Sequence, residues 1–264
     1  SSPPATFMVT MVFVSVSAAE LLKESIDVVF SKPKESVEKI EILAFILESQ
    51  LEKPETYLRT LLSYNDIKSP YNHAINIAVL AMLTGRTLQL DKKHAHNLAI
   101  AALQHDIGEI RLPFQFLRRM DMLTPSEYKA YQSHPIMGIQ LPINQFLSPQ
   151  TLTIMAQHHE FMDGTGFPRK LSGKQVDPLA QIVCIAENYY HLLCSKSTPH
   201  EAISLLFRKY QAKFRNDILN GFILSLGIYP PGSIVQLSDK SYAMVIQSTH
   251  SDLLKPHVLI YESE

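Results

Sequence analysis

The sequence lacks the features that mark several large classes of protein. Lys and Arg number 24 against 25 Asp and Glu, so the formal net charge of -1 gives no global field that attracts a nucleic-acid backbone. Non-specific DNA binding is therefore disfavoured. No run approaches the roughly 18 consecutive apolar residues of a membrane span. The apolar run over residues 7–16 lacks a basic leader and a cleavage site, so it is interpreted as core.

Cysteine is scarce as well. Cys184 and Cys194 stand ten residues apart in one predicted helix, or about 15 Å along its axis, which is too far for a disulfide. A chain without disulfides suits a reducing compartment, so a cytoplasmic location is expected. With 264 residues, 46% of them hydrophobic, the chain can bury a core without crosslinks. Because it opens Ser-Ser-Pro-Pro and not Met, residues upstream are expected to be missing.

Helix starts follow a repeated pattern, which predicts an all-α body. An N-cap residue stands before proline and a periodic apolar stretch at Thr124-Pro125, Ser148-Pro149, Asp177-Pro178 and Thr198-Pro199. Glu127 and Glu201 follow their caps by three residues and complete capping boxes. The apolar stretches 74–83, which Gly85 is expected to stop, and 98–103 also favour helices over strands.

The pattern changes near both ends of the chain. Residues 233–237, 241–247 and 257–261 are short and rich in Val, Ile and Tyr, which predicts a small β appendage over 227–264. It has too few residues for its own core, so we expect it to pack on the helical body or on a partner. Residues 1–64 are expected to form a mainly helical N-terminal extension, and 65–226 the domain that carries the chemistry.

Five of the eleven histidines lie in settings that suit metal ligation: His73, His105, His134, His158 and His159. Asp106 directly follows His105 near the end of an apolar helix, and His158 and His159 close another. Adjacent helical residues diverge by about 100°, so such pairs can reach two metals or two positions on one. A lone histidine on an apolar helix is more often a hydrogen-bonded core residue, and that reading stays open for His73 and His134. The remaining histidines are interpreted as surface or structural: His94, His96, His191, His200, His250 and His257.

Imidazole with carboxylate suits Fe, Mn, Ni or Zn, and the absence of nearby cysteine ligands argues against a structural zinc site. A second block, Asp163-Gly164-Thr165-Gly166-Phe167-Pro168, comes soon after the histidine doublet. Its two glycines permit backbone conformations closed to other residues and let a ligand approach the main chain. Alone it would be a turn, but beside the doublet it is a candidate loop lining a metal pocket.

The order of these motifs, followed by an Ala186-Glu187 helix, resembles the HD-GYP family, a branch of the HD-domain metallohydrolases that degrade the bacterial second messenger cyclic di-GMP. The resemblance spans about residues 65–225 and implies an HD-domain helical bundle. The tail over 229–237 is similar to a β extension often found on such proteins.

The resemblance implies a two-metal centre, commonly iron, with manganese or nickel as alternatives. One metal would be held by His73, His105, Asp106 and Glu187, and the other by Asp106, His134, His158 and His159, with Asp106 as the bridge. Relatives with a third metal use a glutamate where this chain has Ser69, so two metals are expected. Two cations that share a hydroxide polarise the phosphate for in-line attack, giving linear pGpG, or GMP after a second cut.

Substrate contacts are expected from the loop residues Asp163, Gly164, Gly166, Phe167 and Pro168, with Asp163 also supporting the histidine doublet. The chain departs from the family at Glu109, where a lysine is usual, at Phe167, where the family has tyrosine, and at Glu187, where it has aspartate. Glu109 would repel phosphate and impair catalysis, or act as an additional ligand, or be a solvated carboxylate. The usual arginine run after the Glu187 helix is absent, and only Lys196 is left to replace it.

Three hypotheses follow. The first is a cytosolic di-metal phosphodiesterase acting on cyclic di-GMP. The second is a metal-bound but catalytically weak module that senses a nucleotide or docks a protein partner, which Glu109 and the missing arginine run favour. The third keeps the enzyme and changes the substrate to another cyclic dinucleotide or phosphoester, since fold does not fix function. A partner protein, an upstream sensory domain and a dimer stay open.

Overall fold

The computed structural model describes residues 17–51, 69–113, 122–195, 197–248 and 254–261. The helices are α1 (residues 17–27), α2 (Pro33–Gln50), α3 (Pro70–Thr87), α4 (Lys92–Gln104), α5 (Pro125–Tyr131), α6 (His134–Gly138), α7 (Pro149–Gln157), α8 (Pro178–Cys194), α9 (Pro199–Tyr210) and α10 (Asn216–Leu226). Short 3-10 helices lie at Ile107–Arg111, Pro142–Phe146, Gly173–Gln175 and Gln211–Lys213. The strands are β1 (Ile234–Gln236), β2 (Tyr242–Gln247) and β3 (His257–Tyr261).

The helices α5, α7, α8 and α9 begin where the sequence predicts. The Thr124 and Thr198 side chains accept hydrogen bonds from the backbone N–H of Glu127 and Glu201, and each glutamate closes the capping box. The Ser148 hydroxyl accepts from the Thr151 N–H at 3.0 Å in the same way. These caps fix the helix starts because they satisfy N–H groups that have no partner within the helix.

Gly85 does not stop its helix, so this expectation is wrong. The helix α3 continues to Thr87. Gly85 is buried, and a Cβ placed there would lie 3.0 Å from Leu90 Cδ1 and 3.1 Å from Leu98 Cδ2. The glycine therefore lets α3 and α4 pack closely, which is a tertiary role that a local pattern does not reveal.

The helix α8 occupies the centre of the bundle and contacts α3, α4, α7, α9 and α10. Its residues from 179 to 187 are all buried, so it presents apolar side chains on every side. One hydrophobic cluster extends from this helix to the N-terminal helices through Leu22 and Ile40. The acidic side chain of Glu187 is therefore carried by a helix at the centre of the bundle.

The three strands form one antiparallel sheet in the order β1-β2-β3. Ile234 pairs with Met244, and Ala243 pairs with Ile260. Ala243 and Val245 are fully buried, and the Ser248 hydroxyl donates to the Leu226 carbonyl at 2.8 Å, which ties the sheet to the end of α10. The expected fold class, a helical bundle with a small C-terminal sheet, is confirmed, and the sheet packs on the helical body.

The division of the chain at residues 64 and 226 stays a prediction, because the first boundary falls outside the described residues. The apolar run over residues 7–16 lies outside them too. Within the described ranges, no helix combines the length and the apolar character that crossing a membrane requires.

Candidate metal centre

The centre is built around the carboxylate of Asp106, which follows α4 at the turn into the 3-10 helix Ile107–Arg111. Its Oδ2 lies 3.1 Å from His105 Nε2 and 3.4 Å from His73 Nε2. Its Oδ1 lies 3.2 Å from His134 Nε2 and 3.5 Å from His158 Nε2. The two oxygens of one carboxylate therefore face two separate pairs of imidazoles.

Three of these histidines are oriented by the same kind of local hydrogen bond. In each, the ring Nδ1 donates to the carbonyl of the residue three positions earlier, in the last turn of a helix where carbonyls lack helical partners. The pairs are His105 with Ala102 at 2.8 Å, His134 with Tyr131 at 2.9 Å, and His158 with Met155 at 2.7 Å. Because Nδ1 keeps its proton for the carbonyl, the Nε2 of each ring, which points into the centre, is the atom that can bind a cation.

The side chains of His159 and Glu187 complete the arrangement. His159 Nδ1 lies 3.4 Å from Glu187 Oε2. The two rings of the His158-His159 doublet have centroids 4.1 Å apart, so one chain segment places two imidazoles in the same set with Asp106 and His134. The Phe167 ring stacks on His159 with centroids 4.3 Å apart and covers that side.

The structure brings together all seven side chains that the sequence singled out as ligands. They form two sets in which the ligand atoms lie within 4.8 Å of one another: Asp106, His134, His158 and His159, and His73, His105, Asp106 and Glu187. Asp106 is common to both. These are the two sets that the resemblance implied.

The residues present fit cations. Buried polar atoms without a hydrogen-bond partner converge here, among them His105 Nε2, His159 Nε2, Asp106 Oδ1 and Glu187 Oε2. His134 Nε2 and His158 Nε2 lie 3.2 Å apart, although each ring already has its proton on Nδ1. The lone pairs of these two Nε2 atoms face each other and repel. A bound cation removes this repulsion.

The charges inside the centre are strongly perturbed. Burial raises the pKa of Glu187 to about 8, and the negative charge of Asp106 adds to this rise. Burial opposes protonation of His105, yet the adjacent Asp106 carboxylate raises its pKa to about 9. Burial also lowers the pKa of His158 to about 4. Crowded carboxyls and imidazoles of this kind suit a centre that is completed by positive ions.

Comparison with known proteins agrees with this geometry. A sequence profile described as HD domain matches residues 42–213. The chain belongs to the HD-domain family. The resemblance drawn from the spaced histidine motifs is thus confirmed.

Curated relatives of this HD-domain protein are phosphodiesterases. It is 25% identical over 224 residues to a cyclic di-GMP phosphodiesterase of Pseudomonas aeruginosa, a match that covers 83% of this chain and 54% of that protein. It is 35% identical over 141 residues to 3'3'-cGAMP-specific phosphodiesterase 3 of Vibrio cholerae, covering 52% of this chain and 30% of that protein. The chain therefore spans about half the length of the first relative and less of the second.

A solved structure shares the fold. The HD-domain protein superposes on an HDG"Y"P protein from Bdellovibrio bacteriovorus with a TM-score of 0.63 at 21% sequence identity. The match covers 84% of this chain and 72% of that chain. At this identity the likeness shows the fold alone.

The loop after the doublet is held closely against it. Gly166 is buried, and a Cβ there would lie 2.5 Å from the His159 carbonyl oxygen and 2.4 Å from the Phe161 nitrogen. Gly164 has a φ of +76°, which favours glycine. The Phe167 N–H donates to the His159 carbonyl at 3.1 Å, and the peptide bond before Pro168 is cis. The loop is thus positioned beside His159.

A carboxylate that the sequence analysis did not single out holds this loop. Glu160 is fully buried, and its two oxygens accept from the backbone N–H groups of Arg169 at 2.6 Å and Leu171 at 2.9 Å. The sequence signal that could have indicated this role of Glu160 is its position directly after the histidine doublet. Glu160 therefore acts on the loop backbone while the doublet faces the centre.

Asp163 does not support the histidine doublet, so that expectation is wrong. Its exposed carboxylate accepts from the Thr165 N–H at 2.9 Å and from the Thr165 hydroxyl at 2.6 Å. A short aspartate at the start of a turn satisfies its own loop backbone first.

Lys196 lies outside the described residues. Ser69 caps α3 by accepting from the Asn72 N–H at 3.3 Å.

Glu109 lies on the 3-10 helix that follows Asp106 and is half-buried. Burial raises its pKa well above the ordinary value, and the charge of Asp106 adds to the effect. It belongs to neither four-residue set. The carboxylate of Glu109 is therefore not among the clustered ligand atoms, but its charge still interacts with those of Asp106 and Glu187.

His191 was interpreted as a surface or structural residue, and the structure places it at the edge of the centre. It is exposed, as expected, but its Nε2 lies 3.8 Å from Glu187 Oε1. Its spacing of four residues from Glu187 on α8 was the signal that could have found it. By contrast, His94 pairs with Asp91 and His96 with Glu41, both at exposed positions.

Metal affinity is expected to rise with pH. In the metal-free protein the pKa of His105 is about 9 and that of Glu187 about 8, so below pH 8 a cation has to displace protons from both. The dissociation constant for Mn²⁺ should therefore fall by up to about two log units for each pH unit below 8 and level off above 9. Competition with a metal indicator between pH 6 and 9.5 measures this. A pH-independent affinity would contradict the assigned ligands.

Proposed function

We propose that this chain is a metal-dependent phosphodiesterase that hydrolyses cyclic di-GMP to linear pGpG, and to GMP after a second cut. The observation that carries the proposal is the Asp106 carboxylate, whose oxygens face two separate histidine pairs at 3.1 to 3.5 Å. That arrangement suits two cations that share one ligand. The cyclic dinucleotide phosphodiesterases among the curated relatives support the choice of reaction.

Seven side chains would hold the two cations, with Asp106 as the bridge. Iron is proposed first, with manganese or nickel as alternatives. Two divalent cations bound here would lower the pKa of a shared water and polarise the phosphate oxygens, the chemistry that phosphodiester hydrolysis needs. The protein contributes fixed imidazoles, because three helix-end carbonyls hold their rings in one tautomer.

The loop that carries Gly164, Gly166, Phe167 and Pro168 is proposed to seat the substrate. Its backbone is fixed against His159 and by Glu160, so a base or sugar that packs on it meets a preformed surface. Phe167 provides an aromatic face in place of the tyrosine usual in the family. A bacterial, cytoplasmic setting follows from the proposed substrate.

A second candidate is a metal-bound module with weak catalysis that senses a nucleotide or docks a partner. The observation that favours it is Glu109, a half-buried carboxyl whose pKa responds to Asp106 and Glu187. Beside bound cations this carboxyl ionises and opposes an approaching phosphate. Another cyclic dinucleotide, such as the cGAMP on which a relative acts, is a third candidate.

Replacing Glu109 with lysine is expected to raise kcat/KM for cyclic di-GMP about tenfold, since an anion near the phosphate becomes a cation. Metal content should stay at two per chain because Glu109 belongs to neither ligand set. The neutral variant Glu109→Gln should fall between the two. If Glu109→Lys instead lost metal together with turnover, Glu109 would be a ligand and this account of it would be wrong.

The direct test of the proposed reaction is product analysis. The chain is purified without oxygen, loaded with Fe²⁺ or Mn²⁺, and incubated with cyclic di-GMP or with 3'3'-cGAMP. Chromatography should show pGpG from cyclic di-GMP. Two bound metals with no product from cyclic di-GMP would refute the proposed substrate. Product from 3'3'-cGAMP alone would select the third candidate.

A further inference from the structure

His191 lies one helical turn beyond Glu187 on the same face of α8. Its Nε2 is 3.8 Å from Glu187 Oε1, and its ring centroid is 5.7 Å from that of His73. The Tyr190 ring also contacts His73, with centroids 5.3 Å apart, and its hydroxyl accepts from Asn76 Nδ2 at 3.2 Å. His191 therefore adjoins the His73 and Glu187 side of the centre.

Exposure separates His191 from the ligands that it adjoins. Its side chain is 61% exposed, whereas those of Glu187 and His73 are 4% and 17% exposed. The ring is thus at the outer edge of this side of the centre, where a molecule arriving from solvent meets it before it reaches Glu187. A residue placed this way is accessible to a substrate and close to the reacting groups.

The groups around this edge are mainly carboxyls, so a phosphate that binds here needs a hydrogen-bond donor from another side chain. Asp106 and Glu187 belong to the ligand set, and Glu109 adds a third carboxyl nearby. A phosphodiester is an anion, so carboxylates alone do not bind it. A neutral imidazole always carries one N–H and donates it without a change of protonation state. His191 supplies such a donor where the acidic groups do not.

We propose that His191 contacts the substrate by donating a hydrogen bond to a non-bridging phosphate oxygen on the His73 and Glu187 side of the centre. This proposal rests on the proposed function, which supplies a substrate that carries phosphate, and binding of inorganic phosphate tests the role of His191 separately from the identity of that substrate. His191 then supplies a hydrogen-bond donor to the phosphate, which the Glu109 carboxylate, an anion, does not offer.

The test compares His191→Ala and His191→Gln with the unchanged chain, all loaded with Mn²⁺. His94→Ala is the matched control, because His94 is also exposed and pairs with an acid, Asp91. Calorimetry measures the affinity for inorganic phosphate, product kinetics measure the KM for cyclic di-GMP, and elemental analysis counts the metal. We expect His191→Ala to weaken the affinity for phosphate and to raise the KM for cyclic di-GMP about tenfold each, with two metals retained. His191→Gln, which keeps an N–H donor, should recover most of the loss, and His94→Ala should match the unchanged chain.

Two results would overturn the proposal: a phosphate affinity and a KM within twofold of those of the unchanged chain, or loss of metal in His191→Ala, which would make His191 a positioning residue for Glu187. Absence of phosphate binding to the unchanged, metal-loaded chain would overturn it as well. If the unchanged chain binds phosphate but does not hydrolyse cyclic di-GMP, the proposed function fails. In that event the phosphate affinities of the variants still decide the role of His191.

Discussion

Asp106→Ala is expected to abolish hydrolysis and to reduce the bound metal from two cations per chain to one or fewer. The substitution removes the carboxylate whose oxygens lie 3.1 to 3.5 Å from four imidazole nitrogens. It takes a ligand from both sets at once. Turnover should fall by at least about 1000-fold, since the charge stabilisation supplied by the centre is worth several kcal/mol. Elemental analysis and product chromatography on the same sample measure both effects.

A control separates this effect from general loss of an acidic side chain. Glu41→Gln removes an exposed carboxylate that pairs with His96 at 3.1 Å and belongs to neither ligand set. That variant should keep two metals and full turnover, because exposed ion pairs contribute little. Circular dichroism of Asp106→Ala should show a helical protein. Two metals retained by Asp106→Ala would mean that the bridging assignment is wrong.

Gly108→Ala is expected to lower turnover about 100-fold and to destabilise the protein by about 1 to 3 kcal/mol. A Cβ at residue 108 would lie 2.0 Å from the His134 carbonyl oxygen and 2.5 Å from the Gly138 nitrogen. Both atoms belong to the backbone of α6, so the helix would have to move. That movement would carry His134 away from Asp106 Oδ1. Kinetics and thermal unfolding measure the two effects.

Gly138→Ala is the matched control on the other side of the same contact. Its added Cβ would lie 3.3 Å from the Gly108 nitrogen, which requires a shift of only a few tenths of an ångström. The loss of turnover should therefore be much smaller than for Gly108→Ala. Equal losses in the two variants would show that the close approach at Gly108 does not position His134.

Much of the fold and most of the site could be predicted because their signals are local. A cap residue before proline satisfies backbone groups within its own first turn, so the starts of α5, α7, α8 and α9 are visible in the sequence. Of the seven clustered side chains, the five histidines stood out from their settings in the sequence, and the full set was implied by the resemblance to the HD-GYP family. Their convergence also has a local cause, since His105, His134 and His158 each bond to a carbonyl three residues back.

The features that were missed depend on contacts between distant segments. Gly85 and Gly108 are needed where another helix approaches, which neither residue's neighbours in sequence reveal. Asp163 bonds within its own turn, and Glu160, to which the sequence analysis gave no role, holds the loop through the backbone of Arg169 and Leu171. His191 was recognisable only through its spacing from Glu187, once that residue is known to face the centre.

The most direct test of the account is turnover of cyclic di-GMP as Mn²⁺ is added to the metal-free chain, with bound metal counted at each step. The account predicts little activity at one cation per chain and a steep rise as the second binds, because Asp106 serves both sets. Full activity at one cation per chain, or two bound cations without product, would contradict it.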